Sequence, residues 1–333
     1  MRLVTFAADG RGPAAVGALL PGGRILDLRA AYEVLLAGEG VPPVEGAPAA
    51  EQAIPASMEA FVAGGAPSLE AARRALVLGP ALEEENGLRT SSGRPVSVEA
   101  RRVRILAPIS RPNAIRDVVG FEDHARAGAA RRGVELAAGW HERPFWYRGN
   151  HRAILGPDDP LHRPHFTREL DFEIEVACIV GRDLRDAGRD EVGAAIFGFT
   201  IMNDWSARDV QRAEMESRMG PSKSKDFATS LGPCILVAED ETPHPALGME
   251  ARVNGRTVCS ANLGAAFWTF PATISFASRD ETVWATDVFG SGTPFGGCML
   301  DHGGPWLEPG DIVELEVEGI GVLCNRVISP APS

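Results

Sequence analysis

The stretch "DFEIEVACIVG", residues 171–181, constrains this chain more than any other. Alternate residues of a strand point to opposite faces. Asp171, Glu173 and Glu175 therefore share one face, and Phe172, Ile174 and Val176 the other. A solvated face explains alternating acids on an isolated strand. Here the run goes on into "ACIVG" without polar alternation, which predicts a strand buried on both faces. Like charges ~4 Å apart in such a place repel by on the order of 4 kcal/mol at an intermediate effective dielectric. A buried acid row needs a compensating cation. Glu173 and Glu175, about 7 Å apart at Cα, can turn toward one divalent ion. All-oxygen ligation favours Mg²⁺, Mn²⁺ or Ca²⁺ over zinc.

Further candidates lie on both sides of this strand. "IMNDWSARDVQ" ends an apolar run at Asp204. Position 204 reads either as a strand end or as a helix N-cap. If a helix starts there, Arg208 and Gln211 share its face, one an arginine fork suited to a carboxylate. In "RDVVGFEDHARA", Asp117 and His124 are seven residues apart. That spacing puts them on one helical face or at two ends of a loop-to-helix transition. Beside a metal, His124 has the chemistry of a general base. Glu122 and Asp123 divide evenly between a solvated face and support of that histidine. Trp205 reads as core packing, Lys223 as a loop charge, and Arg116 and Arg212 as surface residues.

The 333 residues allow two modest domains. Residues 1–100 form a small α+β domain in this reading, with short strands "RLVTF", "AVGALL" and "RILDL" between Gly-rich turns. Helices are expected at "LRAAYEVLLAGEG" and at "SLEAARRALVLG", the latter opened by Ser68, with loops around one helix over 40–68 and a polar linker over 81–100. Residues 101–333 form the catalytic unit, β-rich and mixed or largely antiparallel, with a hairpin turn at "VNGR". The stretch 130–165, rich in Trp, His and Arg, is expected to cover the site.

Composition narrows the function. A net charge of −12 gives no basic footprint, so neither nucleic acid nor an anionic membrane is an expected partner. No run reaches the ~18 apolar residues of a membrane span. Five scattered cysteines without a C-x-x-C pair argue against a disulfide framework or a zinc site, and Cys178 and Cys234 read as core thiols. The N-terminus lacks a signal-peptide pattern, so a cytoplasmic location is expected.

Four segments in order, "DFEIEVACIVG", "IMNDWSARDVQ", "SKSKDFATSLGP" and "GSGTPFGGCMLD", resemble the core motifs of the fumarylacetoacetate hydrolase family, over roughly residues 103–328. The resemblance implies a mixed β-roll around one Mg²⁺ or Mn²⁺, a homodimer, and a small keto or β-diketo acid substrate. It implies Asp117, Glu173, Glu175 and Asp204 as metal ligands and Thr229 as metal support. Asp171 is not a ligand by this correspondence and is expected to hold a hydrogen bond behind the ligands. Arg208, Gln211 and Lys225 match substrate-contacting positions, Thr293 a carboxylate-binding one, and Tyr147 and Asn150 fall in a loop that supplies pocket groups. His124 matches the family's water-activating histidine, whose glutamate partner is replaced by Asp301, one methylene shorter. The implied reaction is hydrolysis of a C–C bond. Decarboxylation, dehydration, hydration and tautomerisation are alternatives on the same metal-enolate platform.

Overall fold

A computed structural model describes residues 1–8, 13–79, 87–238 and 244–331. Every residue of the strand Ile174–Val180 is buried. It pairs antiparallel with Ile196–Asp204 on one side and Val288–Gly290 on the other. Ile174, Val176, Cys178 and Val180 enter one hydrophobic cluster, and Ala177 and Ile179 a second. Burial on both faces is why the segment reads as a continuous apolar run. Glu175 shares the face of Ala177 and Ile179 but lies at the opposite end of the strand, where packed hydrocarbon gives way to acids.

That strand belongs to a twelve-stranded mixed sheet. Thr229–Val237 continues it beyond Ile196–Asp204. On the far side, Ile115–Val118 runs parallel to Val288–Gly290, and Trp146–Gly149 pairs antiparallel with Ile115–Val118. The stretch expected to cover the site thus contributes a sheet strand. A second, five-stranded sheet comprises Arg256–Asn262, Gly248–Val253, Ile312–Val317, Gly321–Ile328 and Leu161–His162. Its Met249, Ala251, Val313 and Leu315 pack into the same cluster as Val176 and Cys178. The hairpin at "VNGR" forms as expected: Val253 pairs with Arg256, and Asn254 and Gly255 take φ of 52° and 75°. The whole is a mixed α+β fold, mostly sheet, with no closed barrel among the described residues. Among the described residues, no helix is long and apolar enough to cross a membrane.

Residues 1–100 extend the large sheet. Arg2–Ala8 pairs antiparallel with Thr229–Val237, and Ala14–Leu20, Arg24–Asp27 and Ser97–Glu99 follow outward. The expected linker over 81–100 therefore ends in a sheet strand, while 80–86 lies outside the described residues. Helices from this part supply Leu28, Met58 and Phe61 to the cluster that covers Ala177 and Ile179. Two helices, not one, lie wholly within 40–68, and a third begins there: the two are Pro43–Ala53, with proline in its first turn, and Met58–Ala63, capped by Ser57 Oγ at 3.1 Å from the Ala60 amide. The next helix starts at Gly65, so Ser68 is buried within it and opens nothing.

Candidate metal centre

The sheet gathers four acids: Asp117 from Ile115–Val118, Asp204 from Ile196–Asp204, and Glu173 and Glu175 from the start of the central strand, which Val288–Gly290 separates from Ile115–Val118. Asp117 sits opposite Gly290 in the parallel pair, and Asp204 ends its strand opposite Thr229. Glu173 precedes the central strand and is tied to its neighbour twice: its amide donates to Asn203 Oδ1 at 3.1 Å, and its carbonyl accepts from the Asp204 amide at 3.2 Å. One carboxylate oxygen from each of Asp117, Glu173, Glu175 and Asp204 lies within 4.8 Å of the others, and all four residues are buried. Asp117 Oδ1, Glu175 Oε1 and Asp204 Oδ1 have no hydrogen-bond partner. Buried carboxylate oxygens are rarely left bare. Three of them converging with a fourth acid form a donor set that fits a hard divalent cation.

Room at this point depends on Gly290. A Cβ there would stand 2.5 Å from Glu175 Oε2, 2.8 Å from Asp117 Oδ1 and 2.3 Å from Met202 Cε. Gly292 supports the same carboxylate, its amide donating to Glu175 Oε2 at 2.9 Å.

Two cations stand against the acids. Lys225 Nζ donates to Glu173 Oε2 at 2.6 Å and also to Asp204 Oδ2. Arg208 donates through Nη2 to Glu173 Oε1 at 2.7 Å and through Nε to Asp171 Oδ2 at 2.8 Å. Asp171 also accepts the amides of Phe172, Met299 and Leu300 at 2.8, 2.8 and 3.0 Å. It anchors Arg208 behind the four acids through the kind of hydrogen bond expected of it. Burial pushes Glu173 up, but Lys225 and Arg208 outweigh it and hold the carboxyl well below its usual range. Asp117 and Glu175 lack such partners. Burial first, then neighbouring carboxylates, pushes both well up. Burial also pushes Asp204 up, against Lys225. The negative charge is thus compensated at Glu173 and left excess around the three bare oxygens, where a divalent cation would complete the balance.

The remaining expected residues divide. The helix bearing Arg208 runs Arg208–Glu216, so Asp204 is a strand end and not a cap. The chain takes one more bridge at Ser206–Ala207 before turning helical. Gln211 Oε1 accepts from Arg208 Nη1 at 2.9 Å, which orients the guanidinium. Tyr147 lies opposite Asp117, its ring centroid 5.9 Å from Lys225 Nζ, and burial with Asp204 pushes its phenol well up. Thr229 is buried beside Asp204, and Thr293 carries a buried Oγ1 with no partner. Asn150 is occupied by the Asp226 carbonyl and the Arg152 amide, at 3.0 and 3.1 Å. Trp205 is fully buried, as expected, with Nε1 on Ser230 Oγ at 2.8 Å. Lys223 Nζ lies 5.0 Å from the Phe166 ring centroid.

Arg116, expected at the surface, is buried and donates to Asp287 and Glu281, both at 2.7 Å. The strand parity that puts Asp117 in the site turns Arg116 into the other face, where an arginine persists only with carboxylate partners. Arg212 is exposed on Glu169, as expected.

His124 lies in the first turn of the helix Glu122–Arg131, after a loop from Asp117. Its Nδ1 is 3.1 Å from Asp301 Oδ2, so the shorter acid does reach the ring. The Gly296 amide and Arg131 Nη1 each hold Asp301 at 2.8 Å. Although burial opposes it, the His124 contact with these partners holds Asp301 down at about 2. Glu122 instead binds Arg126 and His141 Nε2, the latter at 3.0 Å, and gives His124 no support. An ionised carboxylate on Nδ1 fixes the tautomer that leaves Nε2 as a proton acceptor. Gly290, Gly292 and Arg131 escaped the sequence reading. The glycines of "VFGSG" carried the available signal for two of them, and nothing local distinguished Arg131.

Residues 113–328 match the family model for the fumarylacetoacetate (FAA) hydrolase C-terminal domain. An uncharacterized protein from Archaeoglobus fulgidus is 31% identical over 226 residues, 68% of this chain and 82% of that protein. The mitochondrial oxaloacetate tautomerase fahd2 of Xenopus laevis is 26% identical over 330 residues, 98% of this chain and 90% of that protein. Maleylpyruvate hydrolase from Sphingobium sp. SYK-6, solved with manganese(II) and pyruvate, shares the fold with a TM-score of 0.66 at 21% identity, covering 99% of this chain and 100% of that one. The motifs, the sheet that assembles them and these matches agree: the chain belongs to the fumarylacetoacetate hydrolase family of enzymes.

Proposed function

We propose that this protein is a Mg²⁺- or Mn²⁺-dependent hydrolase cleaving a C–C bond of a small β-diketo acid such as an acylpyruvate. The observation that carries this is the His124–Asp301 pair beside the carboxylate quartet, with Nδ1 and Oδ2 3.1 Å apart. Asp117, Glu173, Glu175 and Asp204 would hold the cation, with Thr229 in support. When bound, it would polarise a substrate carbonyl and stabilise enolate charge. Lys225 adds positive charge beside the developing oxyanion. Arg208, kept in place by Asp171 and Gln211, positions the substrate, and Tyr147 and Thr293 line its pocket. The unpartnered Thr293 hydroxyl has a donor free for a distal carboxylate.

His124 takes a proton from water as the hydroxide oxygen adds to the acyl carbonyl. The C–C bond then breaks, its electron pair passing to the departing enolate. His124 returns the proton to the enolate carbon. A second reading, tautomerisation of a 2-keto acid such as oxaloacetate, is favoured by the relative of that activity that matches 98% of the chain. It uses His124 to move a proton between carbon and oxygen, with no water consumed.

We also read residues 1–100 as a domain that supplies no catalytic group, since the side chains named here all come from 117–301. A cytoplasmic homodimer is the assembly and location that go with this reading, and sedimentation velocity checks the first. Acylpyruvates and oxaloacetate, assayed with and without Mg²⁺ or Mn²⁺, separate the reactions. Release of pyruvate plus a carboxylic acid supports hydrolysis; enol-to-keto conversion alone supports the second reading. His124→Ala should lower kcat for hydrolysis by about 10²–10⁴-fold with metal affinity unchanged. Wild-type hydrolysis by that variant would remove water activation from the scheme.

A further inference from the structure

A second group of donors stands beside the carboxylate quartet, and its chemistry is different. His124, Cys298 and Asp301 bring one nitrogen, one sulfur and one oxygen within 4.8 Å of one another. We propose that this trio is a separate site for a borderline-soft divalent cation of the Zn²⁺ class, and that filling it inhibits the enzyme by capturing His124.

The donor set makes the distinction. Four carboxylates suit Mg²⁺ or Mn²⁺, whereas thiolate, imidazole and carboxylate together suit zinc. The trio is also held in position. Asp301 keeps one oxygen on Arg131 and the other on the Gly296 amide, so its carboxylate cannot rotate away. Cys298 and Asp301 are three residues apart around the start of the short helix Met299–His302, and the Asp301 amide donates to the Cys298 carbonyl at 3.3 Å. The third donor comes from the helix Glu122–Arg131, and His124 retains 18% side-chain exposure, which leaves a side for entry. Among the described residues, none of the other cysteines stands in such a group. Cys298 has no part in the proposed reaction.

Binding balances simply. The thiol loses its proton to solvent and becomes the sulfur ligand. Nδ1 of the neutral imidazole gives up its hydrogen bond to Asp301 and ligates, the ring proton now residing on Nε2. The imidazole then has no lone pair for catalysis. The site itself depends only on geometry; the inhibition rests on the role of His124 proposed above.

The test uses full-length protein already saturated with Mg²⁺, to which Co²⁺ is added as a spectroscopic probe. Wild type should develop a thiolate-to-cobalt charge-transfer band in the near ultraviolet. Cys298→Ser should lose the band, and His124→Ala should weaken it, while Mg²⁺ binding by calorimetry stays as in wild type. Zn²⁺ should abolish the cobalt band and inhibit turnover in the presence of excess Mg²⁺, and Cys298→Ser should relieve that inhibition. Absence of the band, its persistence in Cys298→Ser, or zinc inhibition that excess Mg²⁺ removes equally from both proteins would overturn the proposal. The last result would place zinc among the carboxylates. Because the cobalt spectrum needs no substrate, it stands or falls separately from the assigned reaction.

Discussion

Glu175→Gln should have opposite effects on stability with and without metal. Glu175 Oε2 accepts the Gly292 amide at 2.9 Å, and the glutamine carbonyl can keep that bond. The other oxygen, bare in the acid, becomes an amide donor in a cluster where Asp117 Oδ1 and Asp204 Oδ1 lack partners. At 4.8 Å, two ionised carboxylates repel by about 3.5 kcal/mol at an effective dielectric of about 20. Removing one charge from a quartet with three uncompensated oxygens should therefore stabilise the metal-free protein, by up to about 3 kcal/mol. The same change removes a ligand. Mn²⁺ at about 100 times its dissociation constant stabilises a one-site protein by about 2.7 kcal/mol, and that increment should be lost. Denaturant melts of both proteins in EDTA and in excess Mn²⁺ should therefore cross: the variant is more stable without metal and the wild type with it. A variant destabilised in EDTA that keeps the full Mn²⁺ increment would refute the assignment of Glu175 as a ligand and the repulsion argument together.

Gly290→Ala should also impair the centre, though it adds no charge. Its Cβ would stand 2.5 and 2.8 Å from carboxylate oxygens of Glu175 and Asp117, so a cost of about 1–3 kcal/mol from overpacking and weaker Mn²⁺ binding by calorimetry are expected. Asp287→Asn leaves buried Arg116 with a poorer partner one residue from Asp117. Breaking such pairs costs about 3–5 kcal/mol, and urea denaturation should show a loss approaching that range. Asp301 is held down at about 2 by its contact with His124 and its other partners, against an ordinary value of 3.8. A depressed acid contributes its stability above the unfolded value and loses it as pH falls through the folded one. The resulting contribution of about 2 kcal/mol should be complete above pH ~4 and fade toward pH ~2. Asp301→Asn should be less stable at neutral pH, and the gap should narrow across that window.

The sequence by itself determined the parts of this protein that follow from short-range periodicity. A strand with acids at one end and hydrocarbon beyond them must be buried on both faces, and Ile174–Val180 is. Asn254-Gly255 between two strands must turn tightly, because both residues accept positive φ, and they do. Ordered motifs pointed to the family and to four acids, which the sheet brings within 4.8 Å of one another. Tertiary structure alone decided the rest. Arg116 looked like a surface residue until Asp287, 171 residues later and just before the strand Val288–Gly290, came against it. Asp204 ends a strand and does not cap a helix because Thr229 pairs with it, and no local propensity records that partner. Whether Asp301 reaches His124 depends on how two short helices approach each other. The need for glycine at 290 becomes visible only when Glu175, Asp117 and Met202 converge on the space a Cβ would fill. Distances between side chains far apart in sequence are set by sheet register, and register emerges only when all the strands are packed together.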